Sequence, residues 1–247
     1  DISMIRFIIL VPLLIIFLTV SIPLQLIALL VGIVSPSARD KMSLGIVNWA
    51  FGVCLKLAGV KTTFIGLENV PKDEPVLYII NHRSIFDILI TYRQVPRPTG
   101  YIAKKEMKKY LTLTTWMMML HCEFLDRTDL RQGLKVIKSS AAKIKRGISM
   151  AIFPEGTRNK TDEPTLEFHK GSFKIAEMGK CKIVPVVLNN TQTIFEDHLP
   201  ALKPAHVVVE YLPPVDVPSM SREERKNLPE TVRDMMTETY IKNKALV

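Results

Sequence analysis

The chain has 247 residues, with 33 Lys and Arg against 24 Asp and Glu and a formal net charge of +9. That length leaves room for one catalytic domain of about 190 residues plus an appendage, and the basic balance points to an anionic partner: nucleic acid, a phospholipid surface or a phosphorylated substrate. Cys54, Cys122 and Cys181 are far apart, odd in number and without CxxC or Cys/His ligand spacing, which supports neither a disulfide framework nor a structural zinc site.

The apolar residues gather at the N-terminus. Phe7 to Ala38 is a run of 32 residues without a charged side chain. It is too long for a signal-peptide core and reads as a retained anchor. As one straight helix it would reach about 48 Å, beyond a hydrocarbon core of about 30 Å. Pro12 and Pro23 lie inside it, so kinks or breaks are expected. The second segment, Ser43–Val60, carries Asn48 and Lys56 and has 18 residues, which suits an interfacial or re-entrant helix better than a span. Gly45, Gly52 and Gly59 recur every seven residues, as do Ser21, Ala28 and Ser35. Such stripes of small residues let two helices approach closely in lipid. Residues 4–60 are therefore expected to form an antiparallel two-helix membrane anchor, and residues 1–60 a unit distinct from a domain over 61–247. A single span followed by an ordinary core helix is the alternative.

Beyond Val60, β-rich runs alternate with helical ones. Strands are expected at Lys61–Ile65, Val76–Ile80, Gly100–Ala103, Glu123–Leu125, Ser149–Phe153, Ile183–Leu188 and Val207–Tyr211. The clearest helix is Asp129–Arg146, where Leu130, Leu134, Ile137, Ala141 and Ile144 form one stripe between an Asp129 cap and Gly147. A short helix over Ser172–Met178 and a polar one from about Arg222 follow. This alternation predicts an α/β fold, a mixed sheet flanked by helices. Adjacent His121 and Cys122 read as packing residues.

Two loops carry candidate chemistry. Asn81-His82-Arg83-Ser84-Ile85-Phe86-Asp87 follows the strand Val76–Ile80. In an unbroken helix, positions five apart diverge by about 140°, so His82 and Asp87 meet only if a strand-to-helix turn separates them. There the helix dipole disfavours protonation of the imidazole, and a carboxylate on one ring nitrogen fixes the tautomer. A plain capping arrangement, with Ser84 as N-cap, is the competing reading. The second loop, Phe153-Pro154-Glu155-Gly156-Thr157-Arg158, leaves a strand that Pro154 ends, and Arg158 offers a planar fork to a phosphate. A polar turn with a surface Arg–Glu pair would look the same.

NHxSxxD followed about seventy residues later by FPEGTR resembles the glycerolipid acyltransferase family, over roughly residues 76–188. Phe124-Leu125-Asp126-Arg127, with Lys104-Lys105 upstream, is similar to that family's second block. Val184-Pro185-Val186 is similar to its fourth, and Phe168-His169-Lys170-Gly171 to the pattern after its third. The resemblance implies acyl transfer from an acyl-CoA or acyl-[acyl carrier protein] donor to the sn-2 hydroxyl of a lysophosphatidic acid acceptor. His82 would be the general base, Asp87 its orienting partner, and no covalent acyl-enzyme would form. Arg158 would bind the phosphate, with Glu155, Gly156 and Thr157 shaping the loop and Lys105 and Arg127 as further phosphate candidates. Such a reaction needs no cofactor or metal and no nucleic acid. It places the protein at a lipid bilayer, with its catalytic domain at the cytoplasmic face. Rival readings are acylation of another lysophospholipid or of glycerol 3-phosphate, a serine hydrolase using Ser84, and a non-catalytic protein that binds anionic lipid.

Overall fold

A computed structural model describes residues 2–247. Seven strands form one sheet: β1 (Val60–Ile65), β2 (Val76–Ile80), β3 (Thr99–Lys104), β4 (Glu123–Leu125), β5 (Ser149–Ile152), β6 (Lys182–Asn189) and β7 (Ala205–Tyr211). Their order is β1-β7-β6-β2-β5-β3-β4. Every neighbouring pair is parallel except β6 and β7. The sheet is therefore mixed, as the strand–helix alternation predicts.

β2 lies at the centre, and all five of its side chains are buried. Val76, Tyr78 and Ile80 point into one core, Leu77 and Ile79 into the other, as alternate residues of a doubly covered strand must. One face is covered by α1 (Ile2–Val34), α2 (Pro36–Ala58), α3 (Phe86–Tyr92) and α4 (Leu111–Met119). The other carries α5 (Leu130–Lys145), α6 (Gly171–Gly179) and the C-terminal α8 (Leu228–Asn243), with the short α7 (Arg222–Lys226) leading into it. Pro185 is tolerated inside β6. Its carbonyl accepts from Leu212 N at 2.9 Å, and ladder pairing with β7 begins only at Val186, so the missing donor leaves no acceptor stranded.

The N-terminal region differs from expectation in three ways. α1 runs unbroken through Pro12 and Pro23, because each proline removes a single amide donor and the flanking turns hold the helix. Second, among the described residues only α1 has the length and apolarity of a membrane-crossing helix. α2 contains Arg39, Asp40, Lys41 and Lys56 and packs against α1, α3 and α4. The expected two-helix anchor thus becomes one candidate anchor helix with a packing partner, and that partner shares its core with the sheet.

The third difference concerns the glycines. Ser21 and Ala28 are buried in α1, but the glycine stripe of α2 does not meet them. A Cβ at Gly45 would find open space, one at Gly52 would strike the Arg93 guanidinium, and one at Gly59 would strike Arg6. Gly52 makes room for Arg93, whose Nη1 donates to the Asn48 carbonyl at 2.8 Å. Gly59 takes φ 76° and ends α2. His121 is a packing residue, as its sequence context suggests: its Nε2 meets Asp40 Oδ2 at 2.9 Å, tying α2 to the turn before β4.

Candidate active site

β2, β3, β4, β5 and β6 run parallel, so their carboxyl ends share one edge of the sheet. Open α/β sheets place their sites in the crevice outside that edge. Both motif loops begin there. Asn81, 2% exposed, continues the ladder with its side chain: Nδ2 donates to the Leu188 carbonyl at 3.0 Å and Oδ1 accepts from Leu188 N at 2.7 Å. The chain then turns, and α3 starts at Phe86.

That turn brings His82 and Asp87 together. Asp87 is fully buried, and its Oδ2 lies 2.8 Å from His82 Nδ1. The same oxygen accepts from Arg83 N at 2.7 Å and Ser84 N at 2.8 Å. The functional pairing and the capping reading are therefore one structure: the carboxylate that caps the turn also orients the imidazole. With Nδ1 donating to Asp87, Nε2 is left to accept a proton, and among the described residues it has no hydrogen-bond partner. Ser84 is fully buried and its Oγ accepts from Phe86 N at 3.0 Å. That fits a cap and not a nucleophile.

The second motif supports the first. The Phe153 ring stacks on the His82 imidazole, with centroids 4.0 Å apart and planes at 23°. Glu155 is 4% exposed; its Oε1 accepts from His82 N at 2.8 Å and its Oε2 from Leu166 N at 2.7 Å. Burial pushes its carboxyl above the usual range, partly offset by those two amides. Both oxygens of Glu155 are thus turned inward as a clasp between loops. Gly156 sits at φ 72° beneath the His169 ring, and a Cβ there would lie 2.7 Å from Nε2. Here glycine is required both by conformation and by close approach. Thr157 and Arg158 are exposed, and Asn159 N donates to the His82 carbonyl at 2.7 Å, which holds Arg158 against the His82 loop.

Two further residues build the site: Arg83, at an unspecified position inside the first motif, and Glu196, outside both. Arg83 is buried, donates to the carbonyls of Thr161 and Glu163, and lies over the Tyr240 ring at 4.9 Å. It braces the loop after FPEGTR against α8. Glu196 pairs with Arg158 at 3.0 Å. No periodicity or motif marks it, since it follows β6 in a stretch of 3-10 turns.

Lys105 and Arg127 stand apart from this cluster. They follow β3 and β4, two and three strands along the edge from β2, or about 10–14 Å at the usual strand spacing. Lys105 Nζ lies 2.5 Å from Asp126 Oδ2. Lys105 and Thr128 together hold the Asp126 carboxyl down at about 2. Lys105, Lys108, Lys109 and Phe124 line an open depression of about 470 Å³, and Arg127 is exposed beside it.

An imidazole oriented by a buried carboxylate, open at Nε2 and set beside an exposed guanidinium, can deprotonate a hydroxyl on an anionic substrate. The acyltransferase family profile matches residues 61–189. The 1-acyl-sn-glycerol-3-phosphate acyltransferase of Saccharomyces cerevisiae is 33% identical over 186 residues, covering 74% of this chain and 61% of that one. The enzyme of the same name from Borreliella burgdorferi is 30% identical over 184 residues, covering 74% of this chain and 73% of that one. The crystal structure of the 1-acyl-sn-glycerophosphate acyltransferase from Thermotoga maritima superposes with a TM-score of 0.82 at 22% identity, over 98% of this chain and 96% of that one. The last likeness is one of fold. Profile, relatives and the paired motif loops converge, and the chain belongs to the acyltransferase family.

Proposed function

We propose that the protein transfers a fatty acyl group from an acyl thioester to the sn-2 hydroxyl of lysophosphatidic acid, giving phosphatidic acid. The observation that carries this reading is the 2.8 Å His82–Asp87 pair held against the FPEGTR loop by Glu155. His82 Nε2 takes the proton of the acceptor hydroxyl as its oxygen attacks the thioester carbonyl. The tetrahedral intermediate then collapses, the C–S bond breaks, and the imidazolium returns its proton to the leaving thiolate. The nucleophile belongs to the substrate, so no acyl-enzyme forms. The cysteines suit no other role: burial pushes the Cys122 thiol up to about 11 and Cys181 up to about 12, which leaves little thiolate at neutral pH. The names of the relatives support lysophosphatidic acid as acceptor. Incubation with radiolabelled lysophosphatidic acid and acyl-CoA tests the reading. Label appearing in phosphatidic acid supports it, and release of free fatty acid alone would defeat it.

Arg158 is assigned to the acceptor phosphate, and Arg127 adds positive potential along the same edge, where Lys105 is paired with Asp126. Arg158→Ala is expected to raise the acceptor KM by about 30- to 150-fold, the equivalent of removing a charge-assisted bidentate interaction of about 2–3 kcal/mol. The donor KM should hold. Arg158→Lys should recover only part, since an ammonium cannot reproduce the fork. Steady-state kinetics in mixed micelles separate the two constants; a change confined to the donor KM would move Arg158 to the other substrate.

The bilayer is the natural place for this reaction, and we place α1 along one leaflet, on the cytoplasmic side. α1 is bound to the body over most of its length: Ser3 O accepts from Leu202 N, Phe7 stacks on Phe195, Phe17 on Trp116, and Gln25 Nε2 donates to Thr112 O at 2.7 Å. From residue 3 to residue 25 a helix rises about 33 Å, as much as a whole hydrocarbon core. Crossing the bilayer would carry the attached body into hydrocarbon, whereas lying flat presents Ile8, Ile15, Ile22 and Leu26 to lipid, all exposed. Ile2→Cys and Ser37→Cys, each in a background lacking the three native cysteines, should label with an impermeant maleimide from the same side of sealed vesicles. Labelling from opposite sides would establish a span.

A further inference from the structure

We infer that Glu196 is a positioning residue for this reaction, aiming the Arg158 guanidinium and holding the His82–Asp87 turn through one carboxylate oxygen. Its Oε1 accepts from Ile85 N at 2.9 Å and from Arg158 Nη1 at 3.0 Å. Ile85 lies between His82 and Asp87 in the same turn. One oxygen therefore fixes the distance between the proposed base and the proposed phosphate donor, although the two come from loops separated by some seventy residues.

An incidental surface ion pair would not look like this. The Glu196 side chain is only 15% exposed, against 43% for Arg158. Its Oε2 is buried without a hydrogen-bond partner, an arrangement that costs stability. Glu196 engages Nη1 alone. The Nε–Nη2 edge of the guanidinium makes no hydrogen bond among the described residues, and that edge is a planar pair of donors suited to two phosphate oxygens. A carboxylate that holds one nitrogen and leaves the opposite edge unpaired selects one orientation of the fork before the acceptor arrives.

The segment that carries Glu196 is itself held by the candidate anchor helix. Phe195 stacks on Phe7 of α1, with ring centroids 6.1 Å apart and planes at 16°, and Leu202 N donates to the Ser3 carbonyl at 3.1 Å. The ion pair that orients Arg158 is thus braced from the helix assigned to the lipid surface, on the side from which a membrane acceptor would enter.

The inference rests on Arg158 as the phosphate donor, and a double-mutant cycle separates the two. The full chain is assayed in detergent micelles containing lysophosphatidic acid, with acyl-CoA as donor. Glu196→Ala is expected to raise the acceptor KM about tenfold, because a guanidinium free to rotate binds the phosphate through one hydrogen bond fewer on average. It should also lower kcat a few-fold through the freed Ile85 amide. The donor KM should stay constant. Glu196→Gln keeps an oxygen for both N–H groups and should recover most of the loss. In the Arg158→Ala background, Glu196→Ala should raise the acceptor KM no further. A merely structural role would reduce the active fraction, lowering kcat without moving KM, and Glu196→Gln would give no selective rescue. If Arg158→Ala raises the acceptor KM while Glu196→Ala leaves it unchanged, or if the two effects multiply, the Glu196 inference is overturned and the Arg158 reading stands. If Arg158→Ala moves neither KM, both fall.

Discussion

His82→Ala is expected to abolish acyl transfer while leaving a folded, lipid-associated protein. A positioned base contributes about 10²–10⁴-fold, and among the described residues no other histidine pairs with a buried carboxylate beside the phosphate candidate. The fold should survive. The Asp87 carboxylate keeps its bonds from the Arg83 and Ser84 amides, and the Phe153 ring loses one stacking partner, a change of about 0.5–1.5 kcal/mol. Thermal unfolding and liposome flotation should therefore resemble the wild type, and only the radiolabelled product should vanish. Near-normal turnover by folded protein would remove His82 from the mechanism.

The strands were legible because their residues say the same thing at every level. Val76–Ile80 is a short, wholly apolar run and sits at the centre of the sheet with both faces covered. α5 was legible because its apolar stripe, its Asp129 cap and the following glycine agree on a helix, although Leu130 and Leu134 are exposed and the buried face runs through Val136, Ser140, Ala141 and Ile144; Asp129 Oδ1 accepts from the Arg131 and Gln132 amides. α4 escaped notice for the opposite reason. Leu111–Met119 is threonine-rich, which disfavours helix, and shows no single apolar stripe: Trp116 and Met119 are buried against α1 and α2, while Leu111 and Met118 are exposed. Packing, not propensity, makes it helical.

The glycine stripe of α2 shows how spacing misleads. A seven-residue recurrence marks one face of a helix, but not what that face touches. Gly52 receives Arg93 from just past the end of α3, Gly45 receives nothing, and Gly59 ends the helix. In the site, the motifs carried His82, Asp87, Glu155 and Arg158 because each motif is a contiguous turn. Glu196 and Arg83 were silent. Their partners lie 38 and 78 or more residues away in sequence, and no local pattern records an interaction made only by the closing of the sheet edge. Glu155, which its motif assigns to shaping the loop, faces the His82 amide.

Asp87→Asn is the sharper test of how the pair works, because it changes charge with almost no change in shape. The amide oxygen can take the place of Oδ2 and still accept from His82 Nδ1 and from the Arg83 and Ser84 amides. The turn and the tautomer then persist, while the imidazolium formed during proton transfer loses its counter-charge in a site that excludes water from the carboxylate. The expected result is a fall in kcat of about 10²–10³-fold with both KM values near wild type, smaller than for His82→Ala. Asp87→Ala is a poorer probe. It leaves two buried backbone N–H groups without an acceptor, at about 1–3 kcal/mol each, so lost activity would be mixed with an unfolded turn. Thermal unfolding separates the cases: Asp87→Asn should melt close to the wild type and Asp87→Ala well below it. An Asp87→Asn protein with unchanged kcat would mean that the carboxylate serves only as a cap, and that His82 needs no charge behind it.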